Sequence, residues 1–302
     1  MLPSLLRSLF GSAAGPVPDG EPVAPGARWS HLELREWRHG LVAYNRNDRY
    51  VGRSLQVYGE YSELEAQFLA AWLRPGDVVL EAGANIGPVT VPLARAVGPG
   101  GRVLAYEPQR LVFQLLCCDL ALNELGNVVA RPHAVGARSG TARVPVIPLS
   151  QAHNFGGVAL STDAEGGEQV PVEHVDDLGL EACRLVKVDV EGMEAEVLEG
   201  ARATIGRLRP LLYLENDRAE RSRALIELVQ SLGYRAFWHL PPLFNPDNFA
   251  GRADNLFGNI VSANMFCVPA ESELRLAGLA EVTGPDDTWL GKPASRAVTR
   301  DG

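Results

Sequence analysis

Carboxylates placed after short apolar runs are the residues of this 302-residue chain best suited to chemistry. Glu81, Glu107, Asp189 and Glu215 each close such a run, and Glu191 and Glu194 follow Asp189 closely. A carboxylate at a buried strand end can accept hydrogen bonds from a diol, hold a cation, or take the proton of a reacting hydroxyl. Glu81 also opens the segment Glu-Ala-Gly-Ala-Asn-Ile-Gly at 81–87. Gly83 and Gly87 let the backbone turn sharply and approach a ligand with no Cβ in the way. The helix that follows presents free N–H groups to whatever sits there. The plainer alternative is an ordinary strand-to-helix turn, with Glu107 capping the next helix.

Two ligands compete for such a cradle. A dinucleotide wants G-x-G-x-x-G after the strand, but counting from Gly83 the second and third glycines are replaced by Asn85 and Pro88. The Asn85 side chain would obstruct a closely approaching pyrophosphate. A nucleoside with a short charged tail, S-adenosylmethionine, fits the pattern better. The turn would pass under its methionine portion, with Glu81 facing the ammonium. Glu107 lies 24 positions beyond Gly83, the span of one helix and one strand, and would accept hydrogen bonds from two ribose hydroxyls. An acidic residue at that place serves a nicotinamide dinucleotide equally well, so Glu107 alone does not discriminate.

Methyl transfer from a sulfonium to a hydroxyl needs the oxygen held in line and its proton removed. Asp189, ending a buried strand, is expected to orient cofactor or acceptor, and Asp189 or Glu191 to take the proton. His153 is a further base candidate, carried by the irregular stretch 148–169; a solvated loop histidine is the alternative. Glu194 is read as favouring a helix N-terminus. Asp189, Glu191, Glu215 and Asn216 offer hard oxygen donors for Mg²⁺ or Ca²⁺. No signature fixes such a site, and no metal is expected.

The elements that must position these residues alternate. Residues 31–45 read as a hairpin turning at His39–Gly40. A helix over 62–73 has Ser62 as N-cap and Glu65 completing a capping box. Strand 77–82 precedes helix 87–97, in which Pro92 demands a kink or a late start. Strand 102–107, helix 109–124, strand 127–131 and an extended piece at 141–147 follow. After the long loop come strand 184–190, helix 193–205, strand 211–215, helix 218–232, strand 234–238, irregular chain 240–259 and strand 260–268. Such alternation specifies an α/β fold: a Rossmann-like, doubly wound, mostly parallel sheet with helices on both faces. Ligands bind such sheets beyond the carboxyl ends of the strands, at the topological switch point, which gathers the carboxylates along one edge.

Composition narrows the function classes. With 28 basic and 37 acidic side chains the formal charge is −9, which argues against non-specific nucleic-acid binding. The only lysines are Lys187 and Lys292, and the Ala-, Gly- and Pro-rich composition points to a bacterial source. Cys117, Cys118, Cys183 and Cys267 have no metal-ligand spacing. They read as reduced thiols in a cytoplasmic protein, with Cys117 and Cys118 as small core residues. The apolar stretch 2–10 is interrupted by Pro3 and Arg7, residues 11–27 read as a linker, and no apolar run is long enough to span a membrane.

Taken together, the pieces resemble the FkbM family of S-adenosylmethionine-dependent methyltransferases. The matching segments are Tyr58–Glu63, Glu81–Gly87, Tyr106-Glu-Pro108, Ala134-Val-Gly136, Lys187–Glu194 and Val197–Ala201. The resemblance covers about 58–216. It implies a methyltransferase domain acting on hydroxyl oxygens of small molecules, sugars or lipids. It adds Tyr61, Ser62, Ala84, Pro108 and Ala134 to the cofactor side, and Asn154 to the acceptor side with Glu215 and Asn216. The expected organisation is an N-terminal extension over 1–57, a methyltransferase domain over 58–269 and a peripheral tail over 270–302. The acceptor is expected to be a small molecule, glycan or lipid and not a nucleic acid. Two other readings stay open: a nicotinamide-dependent oxidoreductase, and a non-catalytic cofactor-binding assembly protein.

Overall fold

The computed structural model describes residues 31–159, 166–274 and 276–295; the apolar stretch 2–10 and the linker 11–27 lie outside them. The chain opens with the hairpin β1 (Leu32–Trp37) and β2 (Gly40–Asn45), then α1 (Val51–Tyr58) and α2 (Glu63–Ala70). The first part of the parallel core follows as β3 (Val78–Ala82), α3 (Thr90–Val97), β4 (Arg102–Tyr106), α4 (Arg110–Leu122) and β5 (Val128–Arg131). A small sheet is built from β6 (Ala134–Val135), β7 (Gly140–Val144) and β8 (Glu168–Glu173). The second half runs β9 (Leu185–Val188), α5 (Glu194–Glu199), α6 (Arg202–Leu208), β10 (Leu211–Glu215), α7 (Ala219–Ser231), β11 (Tyr234–His239), β12 (Asn264–Pro269) and β13 (Ala280–Glu281).

The central sheet has the order β13-β11-β12-β10-β9-β3-β4-β5. Strands β10, β9, β3, β4 and β5 are mutually parallel, and β12 is antiparallel to both neighbours. The chain winds outward from β3 to β5, then returns to the other side of β3 for β9 and β10. The switch point therefore falls between β3 and β9. Successive residues bury on opposite faces, as a central strand requires: Val79 and Val103 pack with Leu69, Leu93 and Leu116, whereas Leu80 and Leu104 pack with Val197, Ile205 and Ile226.

Local chemistry explains where the expected boundaries moved. Helix α3 starts late, so Pro92 falls in its first turn, where a missing N–H costs nothing. The helix expected over 193–205 is broken in two around Gly200, which passes so close to the Gly136 carbonyl oxygen that a Cβ there would stand 2.2 Å from it. Helix α1 was not anticipated; Asp48 Oδ1 accepts the N–H groups of Tyr50 and Val51 at its start. The capping box at Ser62 is absent. Ser62 adopts a left-handed conformation (φ 48°) with no side-chain cap, and Glu65 turns into the interior. Cys117 and Cys118 are exposed and not core residues, since Leu115, Leu116 and Leu120 take the buried stripe of α4.

The described residues of both flanks make contacts with the central sheet and its helices. Trp37, Val42 and Tyr44 of the hairpin join the main core, and Asp119 of α4 accepts the Ala43 N–H at 2.6 Å. Beyond Pro269, β13 pairs with β11, Val282 is buried, and Asp287 Oδ2 accepts the Trp238 indole N–H.

Candidate functional site

The backbone at the switch point is tight. Gly83 has φ +85°, and a Cβ there would lie 1.7 Å from the Asp189 carbonyl oxygen. Its missing side chain thus accommodates the protein's own neighbouring strand end; the ligand approach expected from sequence is not what requires the glycine. The Gly83 and Ala84 N–H groups both donate to the Tyr106 carbonyl at 2.9 Å, which ties the turn to β4. Asn85 takes a left-handed conformation (φ 51°), and its Oδ1 accepts the Ile86 N–H at 2.7 Å. Gly87 points away from the site, toward Leu116 Cδ1.

This turn orients Glu107. One carboxylate oxygen accepts the Asn85 N–H at 3.0 Å, the other the Gln109 N–H at 2.9 Å. Each oxygen keeps a lone pair for a ligand hydroxyl. Glu107 is buried, and that burial pushes its carboxyl up to about 7 against the two backbone donors.

Glu107 belongs to the walls of two adjoining cavities. The larger, about 250 Å³, also meets Tyr61, Ser62, Glu81, Gly83, Ala84, Asn85, Asn154, Asp189, Glu191 and Glu215. The smaller, about 40 Å³, takes in Pro108, Ala134, Tyr106 and His133. The fold therefore brings most of the sequence-predicted residues to one place. Three stand apart. Gly87 is a packing residue. Asn216 is buried with its amide on Met265 Sδ at 3.3 Å. His153 lies outside both cavity walls: its Nδ1 meets the Asn154 carbonyl, and its backbone pairs with Asn47 and Arg49. It anchors the long loop to the segment before α1.

Sequence reasoning missed Glu65, Lys187, Tyr50 and Asp217, all on the larger cavity, together with the apolar Leu243 and Ile260. Lys187 carried a usable signal: a lysine within the otherwise apolar run Leu185–Val188, in a chain with two lysines. Its Nζ lies 3.2 Å from Asp189 Oδ2 and 3.8 Å from Glu81 Oε1. Glu81 Oε2 accepts the Thr90 hydroxyl at 2.7 Å. No signal marked Glu65, because a glutamate at that offset from a serine reads as a capping residue.

On the β10 side, carboxylate oxygens of Asp189, Glu191 and Glu215 lie within 4.8 Å of one another. Arg218 already supplies a cation there, 2.5 Å from Glu191 Oε2. Burial pushes the Glu191 carboxyl to about 7 and the Glu215 carboxyl well above the usual range, with Asp189 adding to both. Glu194 holds the turn instead, accepting the Val190 and Gly192 N–H groups at 3.2 and 3.0 Å.

A doubly wound sheet with an acidic pocket at its switch point, and a carboxylate between two adjoining cavities, is the arrangement in which open α/β sheets bind their ligands. Residues 81–236 match the methyltransferase FkbM domain, and the chain belongs to that family. It is 29% identical over 187 residues to the methyltransferase sdnD of Sordaria araneosa, covering 47% of this chain and 71% of that one. It is 27% identical over 204 residues to the 31-O-demethyl-FK506 methyltransferase FkbM of Streptomyces tacrolimicus, covering 57% and 78%. Among solved structures, the methyltransferase FkbM from Methylobacillus flagellatus aligns with 21% identity and a TM-score of 0.44. That alignment covers 71% of this chain and about half (51%) of the other. Among the described residues, no helix is long and apolar enough to cross a membrane.

Proposed function

We propose that the protein is an S-adenosylmethionine-dependent O-methyltransferase acting on a hydroxyl of a small molecule, sugar or lipid. The observation that carries the reading is Glu107, fixed by two backbone donors between two cavities, with lone pairs left for a vicinal diol. In this reading the nucleoside base lies on the side of Glu107 where Tyr106, Pro108 and Ala134 line the adjoining cavity, which must widen to admit it. The amino-acid end fits the larger one near Glu81, whose buried Oε1 has no hydrogen-bond partner. The cofactor supplies an electrophilic methyl on a positively charged sulfur.

The remaining chemistry falls to the chain. Asp189 has a side chain 39% exposed beside buried Lys187, which supports a position between cofactor and acceptor. In this reading it takes the hydroxyl proton as the new C–O bond forms. Glu191, held by Arg218, orients the acceptor with Asn154 and Glu215. Leu243 and Ile260 give the acceptor side an apolar wall, and the carboxylates around it repel phosphates. A neutral acceptor suits such a cavity better than a nucleic acid. The relative named as a 31-O-demethyl-FK506 methyltransferase supports hydroxyl methylation here. No step of this reading uses a metal, since the carboxylate group already has Arg218 as its cation.

The test is methyl-label transfer from S-adenosylmethionine into a fractionated metabolite extract, with mass spectrometry of the labelled product. Label on a hydroxyl oxygen supports the reading. Binding of a nicotinamide dinucleotide in place of S-adenosylhomocysteine would overturn it. Tight cofactor binding with no labelled product from any fraction would favour the assembly role.

A further inference from the structure

The wall of the larger cavity carries a set of charges that the chemistry above uses only in part. Lys187 is 2% exposed and directly opposite Glu81 in the β3–β9 register. Its ammonium serves Asp189 and Glu81. Glu65 enters from α2, 4% exposed, and forms part of the same cavity wall. Three carboxylates thus share one ammonium. Fully ionised, they leave two negative charges uncompensated and away from water, which is costly. Glu81 Oε1, on a residue with no exposure, is the visible deficit: it has no hydrogen-bond donor at all.

Among the described residues, the surroundings of Glu65 offer no second cation. Lys187 and Asp189 face it from β9, Glu81 from β3, and Ser262 hydrogen-bonds to it. The phenols of Tyr61, just before α2, and of Tyr213 on β10 lie within its field, as well as that of Glu215 at the end of β10. Of these only Lys187 is positive, and it is already engaged.

We propose that Glu65 reads the charge of the cofactor: it carries a proton in the empty site and releases it to solvent when the sulfonium nucleoside enters. This rests on the S-adenosylmethionine reading above. The balance is simple. The Glu65 O–H bond breaks, its proton goes to buffer, and the carboxylate that remains is matched by the incoming positive charge. After methyl transfer the thioether product lacks that charge. Glu65 recovers a proton from water, and the site loses its preference for the ligand it holds. Burial places the Glu65 carboxyl at about 7, so the exchange falls in the neutral range.

The test is calorimetry of the intact protein with S-adenosylmethionine and with S-adenosylhomocysteine, at pH 7 in buffers of different ionisation enthalpy. The sulfonium is expected to release roughly half a proton more than the thioether, the release through Glu107 at the shared ribose being common to both. Between pH 6 and pH 8 the sulfonium Kd should tighten about tenfold more than the thioether Kd. Glu65→Gln should abolish the difference in proton release and the difference in slope between the two ligands. If that variant does not fold, the comparison of the two ligands on the unaltered protein decides alone. Proton-silent binding of the sulfonium, or equal release by both ligands, overturns the inference and leaves the cofactor reading intact. Failure of both nucleosides to bind overturns the two together.

Discussion

Replacing Gly83 by alanine should open the sheet at its switch point. The position has φ +85°, which alone costs an L-residue about 1–2 kcal/mol. The added Cβ would also stand 1.7 Å from the Asp189 carbonyl oxygen and 2.8 Å from its carbonyl carbon. Neither atom can rotate away, because both belong to the backbone at the end of β9. Relief requires the ends of β3 and β9 to part, which strains the Asp189 N–H bond to the Ala82 carbonyl. Gly76 supplies the control: its φ is +94°, and nothing lies within 4 Å of the Cβ position. Gly76→Ala should therefore cost about 1–2 kcal/mol, and Gly83→Ala at least ~2 kcal/mol more. Urea unfolding followed by circular dichroism measures both. Calorimetry with S-adenosylhomocysteine should show binding lost in Gly83→Ala and kept in Gly76→Ala. Equal destabilisation of the two variants, with binding intact, would show that the close approach of β3 and β9 does not hold the cleft in shape.

Glu107→Gln should weaken S-adenosylhomocysteine binding at least about tenfold, since an amide cannot present two acceptor oxygens to the Asn85 and Gln109 N–H groups and a diol together; titration calorimetry reads this. Asp189→Asn should lower kcat by about 10²-fold or more in the methyl-label assay while leaving the cofactor Kd within severalfold, and full turnover in both Asp189→Asn and Glu191→Gln would remove these residues from catalysis. His153→Ala should leave the pH–rate profile unshifted, because the imidazole contacts loop backbone outside the cavity. Asp119 carries a stability signature: burial pushes its carboxyl to about 8, and its Oδ2 has no partner. The folded protein then keeps a proton that the unfolded chain has released above about pH 4, so stability falls as pH rises from about 4 to 8. Asp119→Asn should flatten that part of the pH dependence measured by chemical unfolding; an unchanged slope would refute the assignment.

The parallel core was legible because its signals are local. Each strand from Val78–Ala82 to Leu211–Glu215 is an apolar run ending in an acidic or turn residue, and each intervening helix has a strong breaker beside it. The carboxyl-end rule then collected Glu81, Glu107, Asp189 and Glu215 without further information. What escaped depends on residues distant in sequence. The division between α5 and α6 falls where Gly200 passes close to the Gly136 backbone. The strand Glu168–Glu173 exists because β6 and β7 flank it. Glu65 and Lys187 acquire their meaning only when α2 and β9 meet at the cavity, and His153 lost its expected place because its loop docks on Asn47 and Arg49.

Asp189 is where these distant constraints meet. Its carbonyl excludes any side chain at Gly83, its N–H completes the ladder to β3, and one carboxylate oxygen holds Lys187. Its side chain still leaves the buried charge cluster for the cavity mouth. A residue fixed by backbone on one side and by a buried ammonium on the other loses little freedom on meeting an acceptor, which is the condition for positioning to contribute to rate. The same arrangement explains why the uncompensated charge sits deeper, on Glu65 and Glu81. Lys187 cannot serve three carboxylates equally, and Asp189, 3.2 Å from its Nζ against 3.8 Å for Glu81, has first claim on it. Removing that ammonium should therefore separate two functions that removal of Asp189 merges. Lys187→Met should release Asp189 from its orientation and lower kcat. It should also push Glu65 and Glu81 further toward their protonated forms, which weakens sulfonium binding more than thioether binding. A variant that lost turnover while binding both nucleosides with unchanged Kd values would confine Lys187 to the acceptor side and separate it from the charge deficit below.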